Sequence, residues 1–195
     1  QVKQVADRLA AAGFYVAMPD FFDGHPWDMN KALPHPEFMD FIKTSGDWET
    51  KIKPLMEATE KHMADAGAKK FGTIGFCWGC SMALRACNAA LWPIPPTAGL
   101  SIAAGGAHPA FLTDELAAQV EGPVVLLPSG EDGPLDSFKA VMDKKPFGAR
   151  CVYKVFPDMH HGFCAARGDW SNPQQAAAAA EAVQMFADFF TKELM

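Results

Sequence analysis

The chain has 195 residues, 49% of them apolar and 21% charged, the balance of an ordinary soluble globular protein. That length suits a single domain spanning residues 1–195, with a core large enough to fold without staples. A net charge of −6 gives the protein no attraction for nucleic acid or for an anionic membrane surface.

No apolar run approaches the roughly 20 residues needed to span a bilayer. No signal-peptide pattern opens the chain, so a cytoplasmic location is expected. The five cysteines follow no framework spacing and are expected to be reduced thiols.

The chain opens on Gln1 already inside a helical pattern. Val2, Val5, Ala6 and Leu9 recur at i, i+3, i+4 and i+7, and Gly13 is placed to end the helix. Because no strand precedes that helix, upstream elements of the domain are expected to lie outside this sequence.

Five apolar or β-branched runs follow, at Tyr15–Met18, Phe71–Phe76, Ala98–Ala103, Val124–Leu127 and Cys151–Phe156. They alternate with amphipathic stretches around Trp48–Ala66, Cys80–Ala90, Phe111–Val120, Leu135–Lys144 and Asn172–Lys192. Near-continuous apolar strands separated by helices predict an α/β fold, with a mostly parallel sheet covered on both faces. In the last helix Asn172 is placed to cap, Pro173 suits the first helical position, and Val183, Phe186, Ala187 and Phe190 form an apolar stripe. The segment Phe21–Asp47, rich in Pro, Gly, His and aromatic residues, reads as a long loop and a candidate lid or pocket wall.

Gly75-Phe76-Cys77-Trp78-Gly79-Cys80 lies between a predicted strand and a small-residue helix. It is the G-x-nucleophile-x-G arrangement, with cysteine as nucleophile. A nucleophile on such a sharp turn sits in a strained backbone, and the flanking glycines let strand and helix pass closely. The helix N-terminus aims its N–H groups and positive dipole end at the sulfur, which favours thiolate and oxyanion alike. Trp78, next after the nucleophile, is the expected oxyanion donor through its N–H.

Cys77 and Cys80 also read as a C-x-x-C redox pair, and Cys77 alone as a buried structural thiol in a Gly-rich turn. Zinc binding by Cys77, Cys80, His160 and His161 is disfavoured, because adjacent histidines rarely point the same way.

A nucleophile needs a base, and the base an orienting acid. Pro128-Ser129-Gly130-Glu131-Asp132-Gly133-Pro134 follows the strand at Val124–Leu127, and functional groups in α/β sheets gather at the carboxyl ends of strands. Asp132 is the preferred acid, with Glu131 and Asp136 as competitors and a solvated turn acid as the plainer reading. After the run Cys151–Phe156, His161 stands before a glycine in a loop and suits the base, leaving His160 without a catalytic role. The order nucleophile, acid, histidine is that of α/β-hydrolases.

Gly-Phe-Cys-Trp-Gly at 75–79, Ser-Gly-Glu-Asp at 129–132 and the stretch from His160 to Asp169 resemble the dienelactone hydrolase family, especially its eukaryotic members. Residues 11–22 and Gly106-Ala107-His108-Pro109 resemble further landmarks of that family, so the likeness covers the whole chain. The resemblance implies an α/β-hydrolase cleaving small esters or lactones through a cysteine acyl-enzyme, without metal or cofactor. It carries the nucleophile, acid and base onto Cys77, Asp132 and His161, and it suggests Arg167 as a contact for a substrate carboxylate. Surface ion pairing is an equal reading of Arg167.

Two departures stand out. Cys80 replaces a second glycine of the elbow, and the family's early strands, which supply another oxyanion N–H and a carboxylate near the thiol, are not located here. A catalytically silent binding or scaffold protein is the alternative function. Monomer and homodimer are both compatible with the sequence.

Overall fold

A computed structural model describes residues 1–28, 30–31, 35–88 and 102–195. The chain divides into two compact units, one of Gln1–Val16 with Ala68–Met195 and the other of Ala17–Gly67.

Among the described residues the larger unit is built on four parallel strands, β1 (Phe71–Phe76), β2 (Ile102–Ala107), β3 (Val124–Leu127) and β4 (Val152–Tyr153), in the order β1-β2-β3-β4. Phe71 pairs with Ile102 and Phe76 with Ala107, Ala104 with Val124, and Val125 with Val152. Past β4 the parallel pairing resumes at one bridge, Ser129 to Phe156.

Side chains alternate across this sheet, as the period of a strand requires. Ala103, Ala107, Val125 and Leu127 face a core made with α1 (Val2–Ala11) and α7 (Pro173–Leu194), which contribute Val5, Leu9, Val183, Phe186 and Phe190. Ala104, Val124 and Leu126 face the other core, where α4 (Trp78–Ala86), α5 (Asp114–Gln119) and α6 (Asp136–Met142) supply Leu84, Leu116, Ala117, Phe138 and Met142. Burial on both faces explains why Val124–Leu127 is apolar throughout. This is the mostly parallel, doubly covered sheet that the sequence predicts.

Helix α7 starts as its sequence dictates. The Asn172 side chain accepts hydrogen bonds from the Gln174 and Gln175 N–H groups at 2.9 and 3.3 Å, and Pro173 occupies the first turn. Helix α1 ends at Ala11, and Gly13 follows with φ +100°.

Two strand expectations need correction. Tyr15–Met18 joins no strand; the run straddles the division between the two units, and Tyr15 and Met18 are exposed. An apolar run becomes a strand only with a neighbouring edge to pair with. The run expected at Ala98–Ala103 is shifted: β2 runs on to Ala107, while residues 98–101 lie outside the described part. Gly105 and Gly106 disguised its second half. At Gly106 a side chain would not fit, since a Cβ there would stand 2.5 Å from the Cys80 sulfur.

In the smaller unit, Phe21–Asp47 is not wholly loop, because Phe38–Ser45 forms α2. Trp27 meets the rings of His35, Phe38 and Phe41 at 5.1 to 5.5 Å, a local aromatic cluster that accounts for the composition of the segment. Asp47 caps the next element by accepting from the Thr50 N–H at 2.9 Å. A wide π-helical turn, Trp48–Ile52, then leads into α3 (Lys53–Asp65), whose Pro54 has no N–H to give to a regular preceding turn.

Candidate active site

Because all four strands are parallel, their carboxyl ends lie along one edge of the sheet. Each end carries a polar residue of the site.

At the end of β1 the chain turns directly into α4. Cys77 has φ 53° and ψ −122°, a left-handed conformation costly for a residue with a Cβ. The turn is locked on both sides, with Cys77 N–H donating to the Ala107 carbonyl at 3.3 Å and Ala110 N–H to the Cys77 carbonyl at 3.1 Å. A Cβ on Gly75 would lie 1.9 Å from the Gly79 carbonyl oxygen, so glycine is obligatory there. At Gly79 itself a Cβ would meet nothing within 4 Å, so of the two flanking glycines only Gly75 is required by packing. Trp78 is the first residue of α4, which sets its N–H at the positive end of the helix dipole beside Cys77.

Cys80 is turned away into the core. Its thiol donates to the carbonyls of Gly75 at 3.1 Å and Ala107 at 3.4 Å, and burial pushes its pKa well above the ordinary thiol value. The space left by Gly106 accepts its sulfur. A fully buried, hydrogen-bonded thiol of raised pKa does not favour the redox reading.

Beyond β3, the loop carrying Asp132 folds on itself. Asp132 Oδ2 accepts from the Ser129 N–H at 2.7 Å, and Oδ1 lies 2.5 Å from His161 Nδ1. Burial raises the pKa of the Asp132 carboxyl, but the hydrogen bonds from His161 and Ser129 outweigh it and leave the pKa below its ordinary value. His161 has its pKa raised to about 10 by hydrogen bonds to Asp132 and to Cys77, against the opposing effect of burial. Asp132 and His161 are thus in direct contact, and Cys77 acts on the same imidazole.

The neighbouring candidates take other places. His160 points to α7, with Nε2 3.1 Å from Gln175 Oε1 and Nδ1 3.0 Å from the His161 carbonyl. Asp136 is the first residue of α6. Glu131 accepts the backbone N–H of His161 at 2.9 Å, and the Arg167 guanidinium lies 3.7 Å from the same carboxylate oxygen. Among the described residues no cluster of His, Cys, Asp and Glu is arranged to hold a metal ion, and no helix is long and apolar enough to cross a membrane.

The sequence reading used three of the four strand ends and passed over the fourth. Directly after β2 stands His108, fully buried, with φ 39°. Its ring meets that of His161 edge to face at 5.2 Å, with Phe163 and Phe76 each 5.8 Å away. Neither ring nitrogen has a hydrogen-bond partner among the described residues, and burial drives the pKa down to about 3, so the imidazole is neutral. A polar residue closing the apolar run of a strand was the available signal for it.

The dienelactone hydrolase family profile matches residues 1–194. An AIM2 family protein of Schizosaccharomyces pombe is 33% identical over 97% of this chain and 76% of its own length. A hydrolase, pyvD, of Aspergillus violaceofuscus is 26% identical over 98% of this chain and 75% of its own. A carboxymethylenebutenolidase homolog of Rattus norvegicus is 30% identical over 40% of this chain and 31% of its own. No solved structure matches the chain. The parallel sheet, the strand-to-helix elbow and the matched profile agree: the chain belongs to the dienelactone hydrolase family, with its α/β-hydrolase fold, and is related to proteins named as hydrolases.

Proposed function

We propose that the protein hydrolyses small carboxylic esters or lactones through a thioester on Cys77. The observation that carries the reading is the 2.5 Å contact of Asp132 Oδ1 with His161 Nδ1, together with the elbow at Cys77 strained to φ 53°. Strain of this kind persists where surrounding structure enforces it, and it clusters at reactive sites.

In the proposed cycle His161 takes the thiol proton, and Asp132 stabilises the resulting imidazolium. The sulfur forms a bond to the ester carbonyl carbon, and the carbonyl electron pair moves onto oxygen. That oxyanion is received by the Trp78 N–H at the start of α4. Collapse breaks the bond to the leaving oxygen, which takes the proton from His161 and departs as an alcohol, or stays attached when the substrate is a lactone. Water then gives a proton to His161 and attacks the thioester. Collapse of the second adduct returns the electron pair to sulfur and releases the acid.

The hydrogen bond from Asp132 favours the proton on the imidazole, as a base that takes a proton from a thiol requires. Arg167 is proposed, on the resemblance, as a contact for a substrate carboxylate. Any such anion shares it with Glu131.

The test is turnover of short-chain esters by the protein and by Cys77→Ala. Loss of turnover in the variant, with its fold retained by circular dichroism, supports the reading. Undiminished turnover overturns it.

A further inference from the structure

We infer that Glu131 is a positioning residue for the reaction, fixing the backbone of His161 while Asp132 fixes its ring. The inference rests on the reading of His161 as the base.

Two consecutive carboxylates reach the same residue at two different points. Asp132 Oδ1 lies 2.5 Å from ring Nδ1, and Glu131 Oε2 accepts the main-chain N–H at 2.9 Å. The first contact sets ring rotation alone, since a side chain can pivot about a hydrogen bond to its tip. Where the ring sits depends on the Cα of His161, and that Cα lies in a turn outside any helix or strand ladder. The bond from Glu131 supplies the missing anchor. It is charge-assisted, and so among the stronger hydrogen bonds available to a turn N–H.

The two loops are tied together elsewhere as well. Phe156 N–H donates to the Pro128 carbonyl at 2.8 Å and Gly130 N–H to the Met159 carbonyl at 3.0 Å. Gly130 approaches so closely that a Cβ would be 2.0 Å from the Pro157 carbonyl oxygen. Glu131 is therefore mounted on a loop whose own position is fixed against the turn it holds. Arg167, on the far side of Gly162, draws the same Oε2 from 3.7 Å and keeps the carboxylate turned to the turn.

A purely stabilising role fits poorly. The side chains of Glu131 and Arg167 are 55% and 50% exposed, and an ion pair so open to water contributes little to folding. Geometry is what such a contact supplies. A displacement of about 1 Å in a catalytic group costs up to about a hundredfold in rate.

The experiment compares the full chain with Glu131→Ala and Glu131→Gln by two readouts, one of which needs no substrate. The first is the titration midpoint of the His161 ring, followed by NMR. That ring faces Asp132, Cys77 and His108, with Glu131, His160 and Arg167 around the same turn. The second is steady-state ester hydrolysis.

In Glu131→Ala we expect the His161 midpoint to move down toward the ordinary histidine value, as the ring loosens from Asp132. We expect kcat to fall about tenfold or more, with KM within about twofold. Glu131→Gln, which still offers an oxygen to the N–H, should recover most of both. An unmoved midpoint in Glu131→Ala overturns the inference, as does a Gln variant no better than Ala. The NMR midpoint decides the matter even if the protein hydrolyses no ester, so failure of the hydrolase reading and failure of this one are distinct.

Discussion

Asp132 Oδ1 and His161 Nδ1 stand 2.5 Å apart, with the Asp132 side chain 4% exposed and that of His161 27%. The carboxylate thus holds the imidazole by Nδ1 from the shielded side. In the proposed cycle a proton held on Nδ1 leaves Nε2 to take the proton from the thiol.

Asp132→Asn removes the charge and keeps the shape. The amide can present its N–H₂ to Nδ1 and so select the unproductive tautomer. Turnover should fall on the order of a hundredfold or more, with the His161 titration midpoint well below about 10. A pH–rate profile checks both, and an unshifted profile with undiminished kcat contradicts the assigned role.

The two histidines in ring contact titrate in opposite senses. His108 has its folded pKa lowered to about 3 from 6.5, so the unfolded chain binds more protons between those values. Its stabilising effect is complete above pH 6.5 and is lost as pH falls toward 3. For a group so buried the slope reaches about 1.4 kcal/mol per pH unit at most. His161, raised to about 10, holds its proton more firmly when folded, so its effect is complete below pH 6.5 and is lost as pH rises toward 10. Stability should peak near neutrality. His108→Phe, which fits beside Phe76 and Phe163, should flatten the acid side of a urea-midpoint series above pH 4, where an unchanged acid slope would refute the account.

The two glycines of the elbow should respond oppositely to alanine. Gly75→Ala drives a Cβ to 1.9 Å from a backbone oxygen that cannot turn aside, and should destabilise the fold by more than about 3 kcal/mol or abolish it. Gly79→Ala enters open space within α4, where alanine is favoured by about 1 kcal/mol over glycine. Equilibrium unfolding in urea measures both, and similar losses from the two variants would be inconsistent with this packing.

What the sequence makes legible follows from which forces act locally. Val124–Leu127 and Phe71–Phe76 are strands with the expected bounds; in the first, burial on both faces leaves a continuous apolar run. Asn172-Pro173 fixes the start of α7 through local hydrogen bonds. The end of β2 is hidden, because Gly105 and Gly106 answer to the rings of α7 and the sulfur of Cys80, which are distant in sequence. Tyr15–Met18 has strand-like residues, yet pairing is a tertiary property. In the candidate site, Cys77 is singled out by its turn and Asp132 and His161 by their order. His108 and Glu131 are visible as residues but their places are not, since one is marked by its contact with another ring and the other by a backbone bond across 30 residues.

The most direct test of the proposed function is intact-protein mass spectrometry during hydrolysis of a short-chain activated ester, followed by peptide mapping. The account predicts a transient mass gain equal to the acyl group, on the peptide holding Cys77 and absent from Cys77→Ala. Steady turnover by Cys77→Ala, or an acyl group on any other side chain, would contradict it.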